Sequence, residues 1–178
     1  VELVLTGRGA TPELIALARS NPGRLNFGSG SASSRVAGEM FKAMAGVEMT
    51  NVTYKGNPQA LADLVGGQIQ VMFCDAGTAL PQVQAQRVRA LAATSLKRPS
   101  ALPDLPTVAE SGLPGFEMIA WTAVFVPAGT PEPIVTLLNA RITELLRTPD
   151  MRQRMGAATE ISAGTPRERA VALFYAVR

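Results

Sequence analysis

Short β-branched or apolar runs alternate along this chain with segments whose apolar residues recur every three or four positions, and glycine or proline marks each change of period. That alternation constrains the fold more than any other feature, because a sheet layered with helices is the arrangement that buries both kinds of segment. Val1 to Thr6 reads as a strand, and Thr11-Pro12-Glu13 then supplies an N-cap, a proline for the first helical position and a first-turn acid. Leu14, Ile15, Leu17 and Ala18 follow on one face until Asn21-Pro22-Gly23. The Thr-Pro opening recurs at Thr130-Pro131, Thr148-Pro149 and Thr165-Pro166, marking further helix starts.

Between these points, Leu25 to Phe27 is a strand ending at Gly28, and Val36, Ala37, Met40, Phe41 and Met44 recur at helical spacing. Met49 to Tyr54 is a strand, and Asn57-Pro58 opens a helix that ends at Gly66-Gly67. Ile69, Val71 and Phe73 alternate with Gln68, Gln70 and Met72 in a strand that stops at Cys74-Asp75. Thr78 to Gln86 reads as a helix with Pro81 in its first turn, and Val88 to Ala93 as the next strand. The alternation predicts an α/β fold with a mainly parallel sheet. From Lys97 to Gly115, four prolines break any regular element. Beyond them the pattern predicts a long strand from Phe116 to Val126, a helix from Ile134 to Leu146, a short helix after Pro149 and a last helix from Pro166 to the end.

Composition narrows the function. The chain has 178 residues, 47% of them apolar and 17% charged, which is too apolar and too weakly charged for disorder. Its net charge of +3 comes from scattered Lys and Arg, and six Phe, two Tyr and one Trp make a poor stacking platform, so nucleic acid is not expected as a partner. No apolar run reaches the roughly 18 to 20 residues of a membrane helix. Cys74 is the single cysteine and there is no histidine. Ser–His–Asp and Cys–His catalysis, histidine metal sites and cysteine clusters are all excluded, and neither metal nor cofactor is expected.

In a parallel α/β sheet, ligands bind beyond the carboxyl ends of the strands, against helix N-termini. Three loops fit. Gly28-Ser29-Gly30-Ser31-Ala32-Ser33-Ser34 offers close backbone approach, hydroxyl donors and a helix dipole, a combination suited to a carboxylate or phosphate. The same composition also suits a flexible turn ending in a serine cap. It lacks the Gly-Lys-Ser/Thr of a P-loop, and Ser33 stands where a dinucleotide fingerprint needs its third glycine. In the loop from Tyr54 to Pro58, Lys55 is either an anion contact or a solvated surface lysine. In the loop from Cys74 to Thr78, Asp75 and Thr78 are either ligand contacts or a turn former and a helix cap, and Cys74 reads as a buried thiol rather than a nucleophile. Arg35, just inside a helix N-terminus, opposes the dipole and calls for an acidic partner or a ligand carboxylate. Trp121 reads as packing or a pocket wall.

Several stretches taken in order resemble one family. They are Leu25-Asn26-Phe27-Gly28-Ser29 with Ala37-Gly38-Glu39-Met40-Phe41, Tyr54-Lys55-Gly56, Asp63 to Phe73 (DLVGGQIQVMF), Leu102 to Gly112 (LPDLPTVAESG) and Pro127-Ala128-Gly129-Thr130-Pro131. Together they are similar to the solute receptors of tripartite tricarboxylate transporters, the Bug receptors. The resemblance implies a two-lobed, periplasmic-binding-protein-like (type II) fold that closes on a small carboxylic acid without bond chemistry. It also implies a periplasmic location and membrane transporter subunits as partners.

By position, residues 1–6 would be a crossover strand, residues 7–115 the second lobe, and residues 116–178 a crossover strand with the C-terminal helical part of the first lobe. The N-terminal part of the first lobe is expected to be missing, which predicts a truncated fold prone to self-association or lobe swapping. The family grips its ligand with loop N–H groups and hydroxyls. The family does so without a dedicated Arg or Lys clamp, which implies Ser29, Gly30, Ser31, Ser33 and Ser34 on one side, with the loop from Cys74 to Thr78, and so Asp75 and Thr78, completing the pocket. Arg35 and Lys55 join the candidate site on their charge alone. This serine loop is shorter than the family's usual one, Arg35 stands where His is common, and Cys74 stands where Asp is common. The competing functions are a hydrolase or transferase built on the Gly28–Ser34 loop, with Lys55 as base, and a non-binding protein-interaction remnant.

Overall fold

The computed structural model describes residues 2–6, 11–99, 102–151 and 173–176. Five strands form one sheet: β1 (Glu2–Thr6), β2 (Leu25–Ser29), β3 (Met49–Thr53), β4 (Val71–Asp75) and β5 (Arg89–Ala93), in the order β3-β2-β4-β1-β5. β2 pairs in parallel with β3 and with β4, whereas β1 runs antiparallel to both β4 and β5. Four strands therefore share one direction and β1 alone is reversed. The expected mainly parallel α/β sheet is the one observed.

Both faces of the sheet are covered, which is why its central strands read as continuous apolar runs. On one face Val4, Phe27, Val71 and Phe73 pack with Phe41 of α2 (Ala32–Ala45), with Leu14 and Ala18 of α1 (Thr11–Ser20), and with Val108, Leu113 and Phe116. The Phe27 and Phe73 rings meet edge to face at 6.1 Å, and Phe41 lies 5.7 Å from Phe73. On the other face Leu3, Leu5, Met72 and Cys74 pack with Leu61 and Leu64 of α3 (Asn57–Val65) and with Ala76 and Ala79 of α4 (Ala76–Gln84). The alternation in β4 thus separates two buried faces, not a core from solvent.

The proline-rich segment after β5 holds no helix or strand among its described residues, as expected, but it is not loose. Ala93 N–H donates to the Pro106 carbonyl at 2.9 Å and Val108 N–H to the Ala93 carbonyl at 2.8 Å. Glu110 caps this segment by accepting from Thr107 N–H at 2.8 Å, and that bond, with the Arg98 guanidinium, lowers its carboxyl below the ordinary value.

Several expected boundaries move. The long strand from Phe116 to Val126 shrinks to β6 (Trp121–Val124). Phe116 is buried in the core and Met118 bonds to Thr94 through both its N–H and its carbonyl, so this stretch serves packing rather than pairing. Trp121 lies in β6, and its side chain falls outside the description. α5 (Glu132–Arg147) opens without the expected threonine cap, because the Thr130 hydroxyl donates to the Pro127 carbonyl instead. Thr148 does cap, accepting from Met151 N–H at 3.4 Å, and the chain re-enters helix at 149–151.

The last helix is corrected in its described part: β7 (Leu173–Ala176) is a strand, antiparallel to β6 with Trp121 opposite Ala176. A distant pairing overrides a helical reading of this Leu-Phe-Tyr-Ala stretch, whose residues suit a pleated surface equally well. The Thr165-Pro166 opening lies outside the described residues. α5 leaves Ile134, Leu137, Leu138 and Leu145 40–57% exposed. No helix among the described residues is long and apolar enough to cross a membrane.

Candidate functional site

Because β3, β2 and β4 are neighbours running the same way, the helices that follow them all begin along one edge of the sheet, α2 on one face and α3 and α4 on the other. None of the three carries an acid in its first turn. The N-terminal dipoles of α2 and α3 therefore face this edge without a nearby first-turn acid, whereas at α4 the N-cap carboxylate of Asp75 offsets the dipole.

The serine loop is much shorter than its sequence suggests. β2 runs through Ser29 and α2 starts at Ala32, so only Gly30 and Ser31 lie between them, and Ser33 and Ser34 belong to the helix. Ser31 is the N-cap and forms a reciprocal capping box with Ser34. Ser31 Oγ accepts from Ser34 N–H at 3.1 Å, while Ser34 Oγ accepts from the N–H groups of Gly30 and Ser31 at 3.1 and 3.0 Å. The buried Ser29 hydroxyl donates to Asn51 Oδ1 at 2.8 Å, and its carbonyl accepts from Tyr54 N–H at 2.8 Å. These bonds lock the loop into the scaffold. What stays open at this helix end is the backbone N–H of Ala32 and Ser33, ahead of the first intrahelical bonds, and the half-buried Ser33 hydroxyl, 3.0 Å from Ser31 Oγ.

Gly30 has a tighter reason to be glycine than contact with a ligand. A Cβ there would sit 2.3 Å from both the Asn57 nitrogen and the Gly56 carbonyl carbon. The loops after β2 and β3 touch backbone to backbone, and a side chain would part them. Lys55, in the second loop, is exposed and in no ion pair among the described residues. Tyr54 packs against the core, and burial together with donation to Asp63 Oδ2 at 2.8 Å pushes its phenol up to about 12.

The third loop is almost absent. Asp75 ends β4 and is at once the N-cap of α4, so that helix begins at Ala76 rather than Thr78, and Pro81 falls in its interior. Asp75 Oδ1 accepts from Thr78 N–H at 2.8 Å, and Asp75 Oδ2 accepts from Asn57 Nδ2 at 2.7 Å. Capping thus falls to Asp75, while Thr78, half-buried, donates its N–H. Cys74 is fully buried, and desolvation followed by the charges of Asp75 and Glu2 raises its thiol far above the ordinary range, leaving it protonated and unreactive. Arg35 is exposed in the first turn of α2 and in no ion pair among the described residues.

Two residues of this edge escaped the sequence reading. Glu2, the first residue of β1, faces Asp75 across the ladder and is completely buried. Neither of its carboxyl oxygens has a hydrogen-bond partner, and Asn57 Oδ1 is also buried without one. Burial foremost raises the Glu2 carboxyl above its usual value, and the Asp75 charge adds to that. The Ser33 hydroxyl and the amino group one residue away in sequence act the other way. The sequence marks Glu2 only as the one charged residue in an otherwise apolar and β-branched run, which does not tell what will enclose it. Elsewhere, a groove of about 460 Å³ lined by Val83, Arg87, Arg89, Leu102 and Leu105 lies where β5 begins, at the opposite end of that strand from this edge.

A two-face-covered sheet with helix N-termini gathered along one edge is the architecture of the periplasmic binding proteins, and solved structures of that class match it. The R. palustris protein Rpa4515 with adipate superposes with a TM-score of 0.79 at 35% identity, over 84% of this chain and 52% of that one. MatC from Rhodopseudomonas palustris with bound malate gives 0.78 at 33% identity, over 86% and 54%. Residues 7–165 match the family described as "Tripartite tricarboxylate transporter family receptor", and the chain belongs to that family. Among curated relatives, the UPF0065 protein of the tcbD-tcbE intergenic region of Pseudomonas sp. (strain P51) is 42% identical over 142 residues. That alignment covers 78% of this chain and 42% of the relative, so the chain spans less than half the length of that protein.

Proposed function

We propose that this chain is the carboxylate-gripping portion of an extracytoplasmic solute receptor, binding a small carboxylic acid along the edge where α2, α3 and α4 begin. The observation that carries the reading is the set of first-turn N–H groups (Ala32 and Ser33 in α2, Ala76 and Gly77 in α4) left open along one edge, with Arg35 of α2 in no ion pair among the described residues. Such groups stabilise an anion through charge-assisted hydrogen bonds. Ser33, Arg35, Lys55 and the Thr78 hydroxyl supply side-chain contacts in this reading. Ser29, Gly30, Ser31, Ser34 and Asp75 hold the loops that present the N–H groups.

The relatives' ligands, adipate and malate, support a mono- or dicarboxylate as substrate class. In this proposal the receptor works in the periplasm, residues 7–115 form its second lobe, and residues 1–6 and 116–178 belong to the crossover strands and the first lobe. Delivery goes to the membrane subunits of a tripartite tricarboxylate-type transporter, and no bond is made or broken.

A thermal-shift screen against carboxylic acids tests the proposal. Stabilisation by a carboxylate without turnover is the expected result. Product formation would restore the hydrolase or transferase alternative, and no shift from any acid would favour an interaction remnant. Self-association is a separate part of this proposal, tested by light scattering. A monomer would refute it.

A further inference from the structure

Glu2 does not belong to the carboxylate grip, and its surroundings ask for something else. Its backbone is pinned: Glu2 N–H donates to Thr94 Oγ1 at 3.2 Å, and its carbonyl accepts from Thr94 N–H at 3.0 Å. The Thr94 hydroxyl also lies 2.7 Å from the Met118 carbonyl, tying Glu2 to the segment that closes the core. The side chain is therefore held inside, fully buried, with both carboxyl oxygens lacking a donor. The Ser33 hydroxyl is near enough to favour the charged form, but without the geometry of a hydrogen bond.

A second buried acceptor, Asn57 Oδ1, is orphaned on the residue whose amide group bonds Asp75. Asp75 itself is in no ion pair among the described residues. Three acceptor atoms without hydrogen-bond partners therefore accompany a carboxylate in no ion pair among the described residues, at the edge where the ligand is proposed to lie. Buried acceptors in native proteins are almost always satisfied, so such a cluster marks the place of a missing donor. A bare carboxylate supplies none.

We propose that Glu2, with Asn57 beside Asp75, forms a subsite for a hydrogen-bond donor carried by the acid itself, so that this edge selects carboxylates bearing an ammonium group, and next a hydroxyl, over plain ones. The inference rests on the carboxylate reading above and deepens it. Two acidic side chains facing each other across the β1–β4 ladder favour the ammonium over the hydroxyl, because a charged donor both bonds and neutralises. The N–H groups of α2 and α4 take the carboxylate, and Glu2 takes the donor. Glu2 is thus a specificity-determining residue.

Succinate, malate and aspartate test it, since they share one dicarboxylate skeleton and differ in carrying hydrogen, hydroxyl or ammonium upon it. Each is titrated into the 178-residue chain at neutral pH and followed by amide NMR shifts. The expected order is aspartate, then malate, then succinate, with about tenfold or more between the ends. Glu2→Gln, nearly isosteric, is expected to collapse that ratio toward one while leaving succinate binding within about threefold. A merely structural role for Glu2 would weaken all three acids alike.

Equal binding of the three by the wild type, or an unchanged ratio in Glu2→Gln, overturns this inference and leaves the carboxylate reading standing. Binding of none overturns both. Should the variant fail to fold, the wild-type order decides.

Discussion

The two ends of the candidate site differ in how completely their polar groups are satisfied. Around α2, Ser31 and Ser34 bond to each other and to the loop's own N–H groups, and the Ser29 hydroxyl bonds Asn51, so these hydroxyls are already satisfied. Around β1 and α3, Glu2 and Asn57 keep three buried acceptors with no donor at all. The region richest in hydroxyls is mostly scaffold, and the region that looked like plain strand and helix start holds the unmet demand. Donor-rich composition therefore does not locate a site; what counts is which donors and acceptors remain after the fold has taken its share.

That contrast can be broken by substitution. The largest effect is expected at Gly30→Ala, whose Cβ meets the Gly56–Asn57 backbone at 2.3 Å. Backbone has nowhere to yield, so a loss of about 3 kcal/mol or more in urea unfolding is predicted, together with loss of carboxylate binding. Next comes Ser34→Ala, which removes one half of the capping box and leaves the Gly30 and Ser31 N–H groups without their acceptor. It should cost about 1–2 kcal/mol, whereas Ser33→Ala should change stability by less than about 0.5 kcal/mol and act on ligand affinity instead. If the two serines behave alike in chemical denaturation, the division into scaffold and open groups is wrong.

The pH dependence sharpens the other side of the comparison. Burial raises the Glu2 carboxyl in the folded protein above its ordinary 4.5. The folded state then binds more protons than the unfolded state between the two values, so stability falls as pH rises from the unfolded value through the folded one. Above that window the loss is complete and constant. Glu2→Gln should remove this decline and leave the ligand-free protein more stable than wild type at neutral pH. Parallel pH–stability curves for the two proteins would contradict it. The smallest effect is expected at Arg35→Ala, an exposed change worth less than about 0.5 kcal/mol in stability but a few-fold in carboxylate affinity.

Much of the fold was legible because its signals are local. Gly66-Gly67 and Asn57-Pro58 bracket α3 in the sequence as they do in the structure, and the period-two run ending at Asp75 is β4. Where the reading slipped, a distant partner decided. Phe116 to Ala120 looks like strand, yet Met118 bonds to Thr94 instead of to a neighbouring strand. Leu173–Ala176 reads as helix until β6 pairs with it.

The loops of the site were visible as positions but not as chemistry. Ser34 and Ser33 are adjacent and identical in type, and only the turn of α2 makes one a buried cap partner and the other a half-buried open hydroxyl. Glu2 was hidden because a single acid at the start of an apolar strand says nothing of which residues will enclose it. The reversed course of β1 between β4 and β5, which brings Glu2 opposite Asp75, is a long-range fact.

The most direct test of the central claim is an amide NMR titration of the chain with adipate, the acid held by one of its structural relatives. The open N–H groups of Ala32, Ser33, Ala76 and Gly77 should shift most, and the satisfied N–H groups of Gly30 and Ser34 much less. Shifts centred on Val83, Arg87 and Leu105, or none at this edge at concentrations that saturate binding, would contradict it.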